Sequence, residues 1–342
     1  MRTTFPGAFA RTLTVASASA LALAACASAP GAAGPSPESP AASPAPPPSA
    51  SPAGFTAPVD NCGFHLAVDS APERIVTIKS TSTELVLALG LGEKLVGTAF
   101  PDGDLPDHLT LPNPPPPVLS EKAPGSEAVL AVEPDFIFAG WESNLTAENA
   151  GERADLAELG IATYVAPPAC QEAPYQPAPL TFEHIFAYIT EAGALLGAPE
   201  AAADLVAAQR AELAAITPAA GSPTAVWYSS GSDIPFVGGG IGAPQLLMET
   251  AGLRNINADL PETWASVAWE AIAAEDPDLI VLVDSAWNSV DHKIQVLESN
   301  PVTAAMTAVR EGSYLVVDFP ASEAGVRSVA AAASLAEQAA GW

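Results

Sequence analysis

Two cations, in a chain that has few, stand where an anion could be held. Lys79, with Ser80 and Thr81, forms the turn at the carboxyl end of an apolar run, 75–78. A capping pattern, Thr81-x-x-Glu84, predicts a helix over 84–89 directly afterwards. A helix N-terminus carries free N–H groups and partial positive charge, so Lys79 would stand beside a ready anion site. The plainer reading is a capped helix with a solvated lysine. Arg327 precedes the last predicted helix, 328–339, where the helix dipole disfavours a cation. Its planar fork could clamp a carboxylate or phosphate, or pair with Glu323 or Asp318. Aromatic residues supply flat apolar surface. Trp141 opens the polar loop Trp141-Glu142-Ser143-Asn144 after the run 136–138, and Trp287 follows the run 279–283. Tyr228 ends the strand-like stretch 225–228, ahead of Ser229. Phe236 and Trp264 lie further on.

This inventory suits binding better than catalysis. There is no Gly-x-Ser-x-Gly elbow, no His-Glu-x-x-His and no P-loop. Ser229, Ser230 and Ser232 have no evident histidine partner, and His65, His108, His184 and His292 are scattered without metal-ligand spacing. The glycines of 238–242 nearly match a dinucleotide fingerprint, but Pro244 follows and the loop does not join a strand directly to a helix. An extracellular enzyme using a cleft, and an adhesion or scaffold protein, remain as alternatives.

A stretch that occurs twice positions these residues. Glu127 opens the first copy: a short amphipathic helix, Glu133-Pro134-Asp135, an apolar run and then Trp141. Glu270 opens the second: a helix, Asp276-Pro277-Asp278, an apolar run and then Trp287. The two glutamates are 143 positions apart, about one domain length. Pro-Asp ends each helix, because the residue before proline is pushed out of the α region. The continuous apolar runs read as buried parallel strands. Aromatic residues at strand carboxyl ends sit where open α/β sheets bind ligands. The expectation is an α/β protein with two Rossmann-like lobes, 58–198 and 221–342. Each has a central parallel sheet flanked by helices, and one long helix within 199–220 joins them.

The chain has 342 residues and a formal charge of −27, with 39 acidic against 12 basic residues. That argues against nucleic acid and against adsorption to anionic lipid. Residues 1–25 read as a signal peptide, with Arg2 and Arg11 ahead of an apolar run too short to span a membrane. The run ends Leu23-Ala24-Ala25-Cys26, which resembles a bacterial lipobox, so Cys26 is the expected acylated residue and the chain a lipid-anchored protein of the extracytoplasmic face. Residues 26–57, rich in Pro, Ala and Ser, read as a disordered tether of roughly 90 Å reach. Outside the cell the remaining pair, Cys62 and Cys170, is expected to form a disulfide.

Together these residues resemble a known family. Pro72-Glu73-Arg74-Ile75-Val76-Thr77, followed by Ser82-Thr83-Glu84-Leu85, is similar to the opening of the iron-siderophore, haem and cobalamin substrate-binding proteins of ABC importers. Pro134-Asp135-Phe136-Ile137 and Pro277-Asp278-Leu279-Ile280 match segments of the same family. The resemblance implies the class III periplasmic binding fold, with no cofactor and no catalysis. It implies a small-molecule ligand, an ABC permease with its ATPase as partners, and a monomer. By position it makes Glu127 and Glu270 the permease-docking glutamates, and Trp141, Trp264, Tyr228 and Phe236 cleft aromatics, with Arg327 before the last helix. Lys79, Ser80, Thr81, Glu142, Asn144, Ser229 and Trp287 complete the candidate contacts. Runs 79–84, 139–146, 227–233 and 322–327 look like a subgroup of importers of a precursor of the deazaflavin coenzyme F-420. The implied ligand is an aromatic, anionic small molecule: a ferric siderophore or that precursor, with haem and cobalamin as alternatives.

Overall fold

The computed structural model describes residues 58–342; the expected signal peptide, Cys26 and the tether lie outside the described residues. Among the described residues no helix is long and apolar enough to cross a membrane. A short antiparallel hairpin, β1 (Val59–Asn61) and β2 (Phe64–Leu66), precedes the first sheet. That sheet holds β3 (Ile75–Ile78), β4 (Leu95–Ala99), β5 (Val118–Ser120), β6 (Phe136–Ala139) and β7 (Ala162–Val165). The order is β5-β4-β3-β6-β7, and every pairing is parallel. Its helices are α1 (Ser80–Ala88), α2 (Ser126–Leu130), α3 (Arg153–Glu158) and α4 (Phe182–Leu196). Helix α5 (Pro199–Ala215) then leads to the second sheet.

The second sheet holds β8 (Thr224–Ser230), β9 (Phe236–Gly238), β10 (Arg254–Asn255), β11 (Trp264–Ser266), β12 (Leu279–Asp284) and β13 (Tyr314–Asp318). The order is β11-β9-β8-β12-β13, with β10 also beside β8. Strands β8, β12 and β13 are parallel, whereas β9 runs antiparallel to both β8 and β11. Helices α6 (Ala243–Thr250), α7 (Trp269–Glu275), α8 (Val290–Ser299), α9 (Thr307–Glu311) and α10 (Ser328–Ala339) pack around it.

Continuous apolar strands are required because both faces of each sheet are covered. Successive residues alternate between faces: Ile75, Phe136 and Phe138 point into one apolar layer, Val76, Ile137 and Ala139 into another. In the second sheet Trp227, Leu279 and Val281 join the first of these layers, while Val226, Ile280 and Leu282 face a third. The shared layer continues through Leu195 of α4, Ala202 of α5, Leu247 of α6 and Leu335 of α10. One apolar body therefore runs from sheet to sheet. Gly193 permits the close crossing of α4 and α5, since a Cβ there would collide with the Ala202 Cβ.

The Pro-Asp pairs have a second use that their sequence does not show. Asp135 accepts hydrogen bonds from the Glu73 and Arg74 backbone N–H groups at 2.8 and 3.0 Å, just ahead of β3. Asp278 does the same for β8, accepting from the Thr224 N–H at 2.7 Å and its hydroxyl at 2.8 Å. Each repeat thus pins the start of the adjacent central strand.

Several boundaries differ from the sequence reading. Helix α1 starts at Ser80, not 84, and carries no capping box. Lys79 turns the chain at φ 85°, ψ 151°, so the helix begins immediately after β3. The Ser82 and Thr83 hydroxyls satisfy themselves on the Ile78 and Lys79 carbonyls. The connecting helix ends at Ala215, about 26 Å long at 1.5 Å per residue. The loop that carries the glycines of 238–242 begins in β9, and Trp264 lies in β11. Ahead of β13 the chain forms a 3-10 turn, Thr303–Ala305, and then α9. The structure joins Cys62 to Cys170.

Candidate functional site

A cavity of about 1570 Å³ lies at the carboxyl ends of the parallel strands of both sheets. Thr81 follows β3, Phe100 follows β4 and Trp141 follows β6. From the other lobe come Ser229 at the end of β8, Trp287 after β12 and Phe319 after β13. This is the edge at which open α/β sheets hold ligands. It exceeds the roughly 300–1,000 Å³ of drug-sized pockets, so it has room for a larger guest.

Lys79 lies directly behind the wall and is fully buried. Its backbone conformation is rarely adopted by a residue with a side chain. The surroundings hold it there: its N–H donates to the Ala99 carbonyl at 2.9 Å, and its carbonyl accepts the Thr83 N–H and hydroxyl. Gly140 packs directly against it, since a Cβ there would come within 2.7 Å of the Lys79 Cβ and the Thr81 Oγ1. The ammonium then sits in a box of rings, 3.6 Å from the Trp141 ring centre, 4.6 Å from Phe319 and 4.7 Å from Phe100. Cation–π contacts strengthen when desolvated, reaching about 2 kcal/mol or more. Asp102 pairs directly with the ammonium, and Glu323 lies 3.5 Å away.

Glu323 also ties Trp141. The indole Nε1–H donates to the Glu323 carboxylate at 2.6 Å, joining the first lobe to the turn after β13. A second bridge lies beside it. Arg327 donates to both Glu84 carboxylate oxygens at 2.6 and 2.8 Å, and to the Asp104 carbonyl at 2.5 Å. Gln209 of α5 donates to the Val326 carbonyl at 2.8 Å. The base of the cleft is therefore cross-linked by polar contacts.

Both cations that the sequence offered to an anion are engaged inside the protein. This corrects two readings. Lys79 is neither solvated nor at the cavity surface, and Arg327 pairs with Glu84 rather than with Glu323 or Asp318. Three other candidates also stand behind the wall. The Asn144 Oδ1 accepts the Trp141 N–H at 3.1 Å, and the Ser80 hydroxyl accepts the Asp102 N–H at 3.1 Å. The Tyr228 hydroxyl donates to the Gly231 carbonyl at 2.7 Å, and burial raises its pKa to about 12. Thr81, Trp141, Glu142, Ser229, Phe236, Trp264 and Trp287 do line the cavity.

The second lobe presents mostly aromatic surface. Phe236 and Trp264 stack at 6.0 Å and 20°. Trp287 meets Phe319 edge-on at 4.8 Å and is 57% exposed. An exposed indole held on a rigid edge is a platform for a flat or apolar guest. Glu127 and Glu270 lie away from the cavity lining, exposed in the first turns of α2 and α7. Both helices start near the carboxyl edge of their sheet, the edge that forms the cleft.

Phe100, Asp102 and Phe319 were missed by the sequence reading, and Glu323, considered there only as a partner for Arg327, instead meets Trp141 and Lys79. The strand-end rule that nominated Trp141 would also have nominated Phe100-Pro101-Asp102 after β4 and Phe319 after β13.

Burial raises the Glu323 carboxyl to about 7, with Lys79 opposing the rise and Asp102 adding to it. Between the ordinary carboxylate range and about 7, the folded protein keeps a proton that the unfolded chain has lost. This contribution to stability is therefore complete at low pH and lost as pH rises through about 7. Protonation also weakens the acceptor for the Trp141 N–H. Tryptophan emission is expected to titrate with a midpoint near 7, and the transition should vanish in both Glu323→Gln and Trp141→Phe. A transition surviving in both variants would assign it elsewhere.

A family model described as periplasmic binding protein matches residues 75–321. The chain belongs to the periplasmic binding protein family. It is thus a solute-binding protein rather than an enzyme, and the family works outside the cytoplasm. No curated protein sequence matches the chain. Among solved structures, it is similar to a periplasmic binding protein from Veillonella parvula, with 27% identity, a TM-score of 0.74 and 85% of this chain and 99% of that one covered. A second is from an ABC-type Fe3+-hydroxamate transport system of Saccharomonospora viridis, with 25% identity, a TM-score of 0.70 and 83% and 99% covered. The periplasmic heme binding protein HutB of Vibrio cholerae shares the fold at 18% identity and a TM-score of 0.62, with 77% and 97% covered.

Proposed function

We propose that this periplasmic binding protein captures a metal chelate of the ferric siderophore type in the cleft between its lobes. It hands the chelate to an ABC permease driven by its ATPase, working as a monomer held to the membrane through lipid on Cys26. The observation that carries the ligand class is the chemistry of the wall. Among the described residues, the cavity is lined by no His, Tyr or Met, and its one cysteine, Cys170, is disulfide-bonded. Haem iron takes an axial ligand from those types. A chelate whose iron is already fully coordinated needs none. It needs room, apolar surface and a few polar contacts, which the Trp141, Trp264 and Trp287 walls supply. The similarity to a protein of a hydroxamate transport system supports the same reading. The deazaflavin precursor, suggested by four loop runs, carries a phosphate and a carboxylate. The two cations that would have met them are engaged internally, so it ranks second.

The test is quenching of tryptophan emission in the mature protein by a ferric tris-hydroxamate, haem and the deazaflavin precursor. Saturable binding of the tris-hydroxamate at micromolar level or better is expected, weakened about 10- to 100-fold in Trp264→Ala, the range of an aromatic contact residue. Haem bound with an axially ligated absorption band, with no response to the chelate, would overturn the reading.

A further inference from the structure

We propose that the cleft selects ligands by charge, taking neutral or cationic chelates and rejecting polyanionic ones. This rests on the cavity being the ligand site. The lining carries Asp102, Asp104, Glu121, Glu142 and Glu323. Against them Lys122 is the one cation among the described lining residues. Lys79 lies behind the wall and is already shared by Asp102 and Glu323. Arg327 has both arms on Glu84 and Asp104. Among the described residues, Asp104, Glu121 and Glu142 have no ion-pair partner. The whole chain, at −27, adds a field of the same sign.

Low-dielectric walls focus such a field into a cleft. A polyanion entering it would lose hydration and meet five acidic lining residues against the single exposed Lys122. A cation would meet carboxylates and indole faces together. The protein already builds that environment for itself: the Lys79 ammonium rests among Trp141, Phe100 and Phe319 with Asp102 and Glu323 beside it. Trp264 and Trp287 line the same cavity as the unpaired Asp104, Glu121 and Glu142, so a guest meets indole surface and carboxylates within one cleft.

The experiment uses ferric chelates that differ in charge, three of them sharing one iron coordination. A linear tris-hydroxamate with a free terminal amine is positive, its N-acetyl form neutral and its N-succinyl form negative; a ferric tris-catecholate is a trianion. Dissociation constants for the mature protein are measured by tryptophan quenching at low and high salt. The amine form is expected to bind about tenfold more tightly than the succinyl form, equivalent to about 1.4 kcal/mol. The gap should narrow at high salt, because exposed charges are screened. It should also narrow in Asp104→Asn/Glu121→Gln/Glu142→Gln, with the thermal midpoint as folding control. Succinyl or catecholate forms binding as tightly as the amine form would overturn the charge rule and leave the proposed function standing. Failure of all four to bind would overturn both.

Discussion

Replacing Arg327 by Ala is expected to lower stability by about 3–5 kcal/mol, the loss seen when one partner of a buried ion pair is removed. At about 2–4 °C per kcal/mol for a protein of this size class, the thermal midpoint should fall by roughly 6–20 °C. Arg327 is 12% exposed at its side chain and Glu84 1%. Without the guanidinium, Glu84 would be left as a lone buried charge. Burial already raises its pKa despite the two hydrogen bonds from Arg327. In the variant it would escape by taking up a proton, so the deficit should be largest at neutral pH and shrink on acidification. The double variant Glu84→Leu/Arg327→Leu should recover much of the loss, because well-packed apolar pairs replace buried ion pairs at little cost. Urea or thermal unfolding of the three proteins checks this. An unchanged midpoint with lost ligand affinity would instead make Arg327 a ligand clamp.

Reversing both surface glutamates, Glu127→Arg with Glu270→Arg, is expected to abolish uptake while leaving the ligand dissociation constant within about twofold. Both side chains are exposed and line no part of the cavity. Each favours its helix N-terminus by only about 0.3–1 kcal/mol, so reversal should not unfold either lobe. The resemblance that makes these the docking glutamates has them meet arginines of the permease, and like charges facing each other there cost several kcal/mol. Two such sites would together reduce permease association well over 100-fold. Uptake of labelled chelate by cells carrying the variant, beside quenching titrations of the purified protein, separates docking from binding. Normal uptake would remove the docking role from these residues.

The parts of this molecule that could be read early are those with local causes. The runs in β3, β6, β8 and β12 are continuous and apolar because both sheet faces are covered, and that demand is written within each run. The two Glu-to-Trp repeats announced two similar lobes. Strand ends were recognisable, so Trp141 and Trp287 were placed at a cleft before any contact was known. Strands β9 and β11 were not recognised, because strands of three residues carry too little periodicity. Helix α1 began earlier than its capping pattern suggested, since Lys79 adopts a backbone conformation that nothing in its side chain advertises.

The amino-acid order by itself determined the two α/β lobes, the joining helix and the aromatic rim of the cleft, because each depends on residues close together in the chain. The electrostatic character of the cleft was decided only by tertiary structure. Lys79 and Arg327 looked available for an anion because their partners are distant: Glu323 closes on Lys79, and Glu84, separated from Arg327 by 243 positions, takes both arms of the guanidinium. Whether a charge is free depends on what folding brings within about 4 Å of it. Here folding brought carboxylates to both cations and left the cleft acidic.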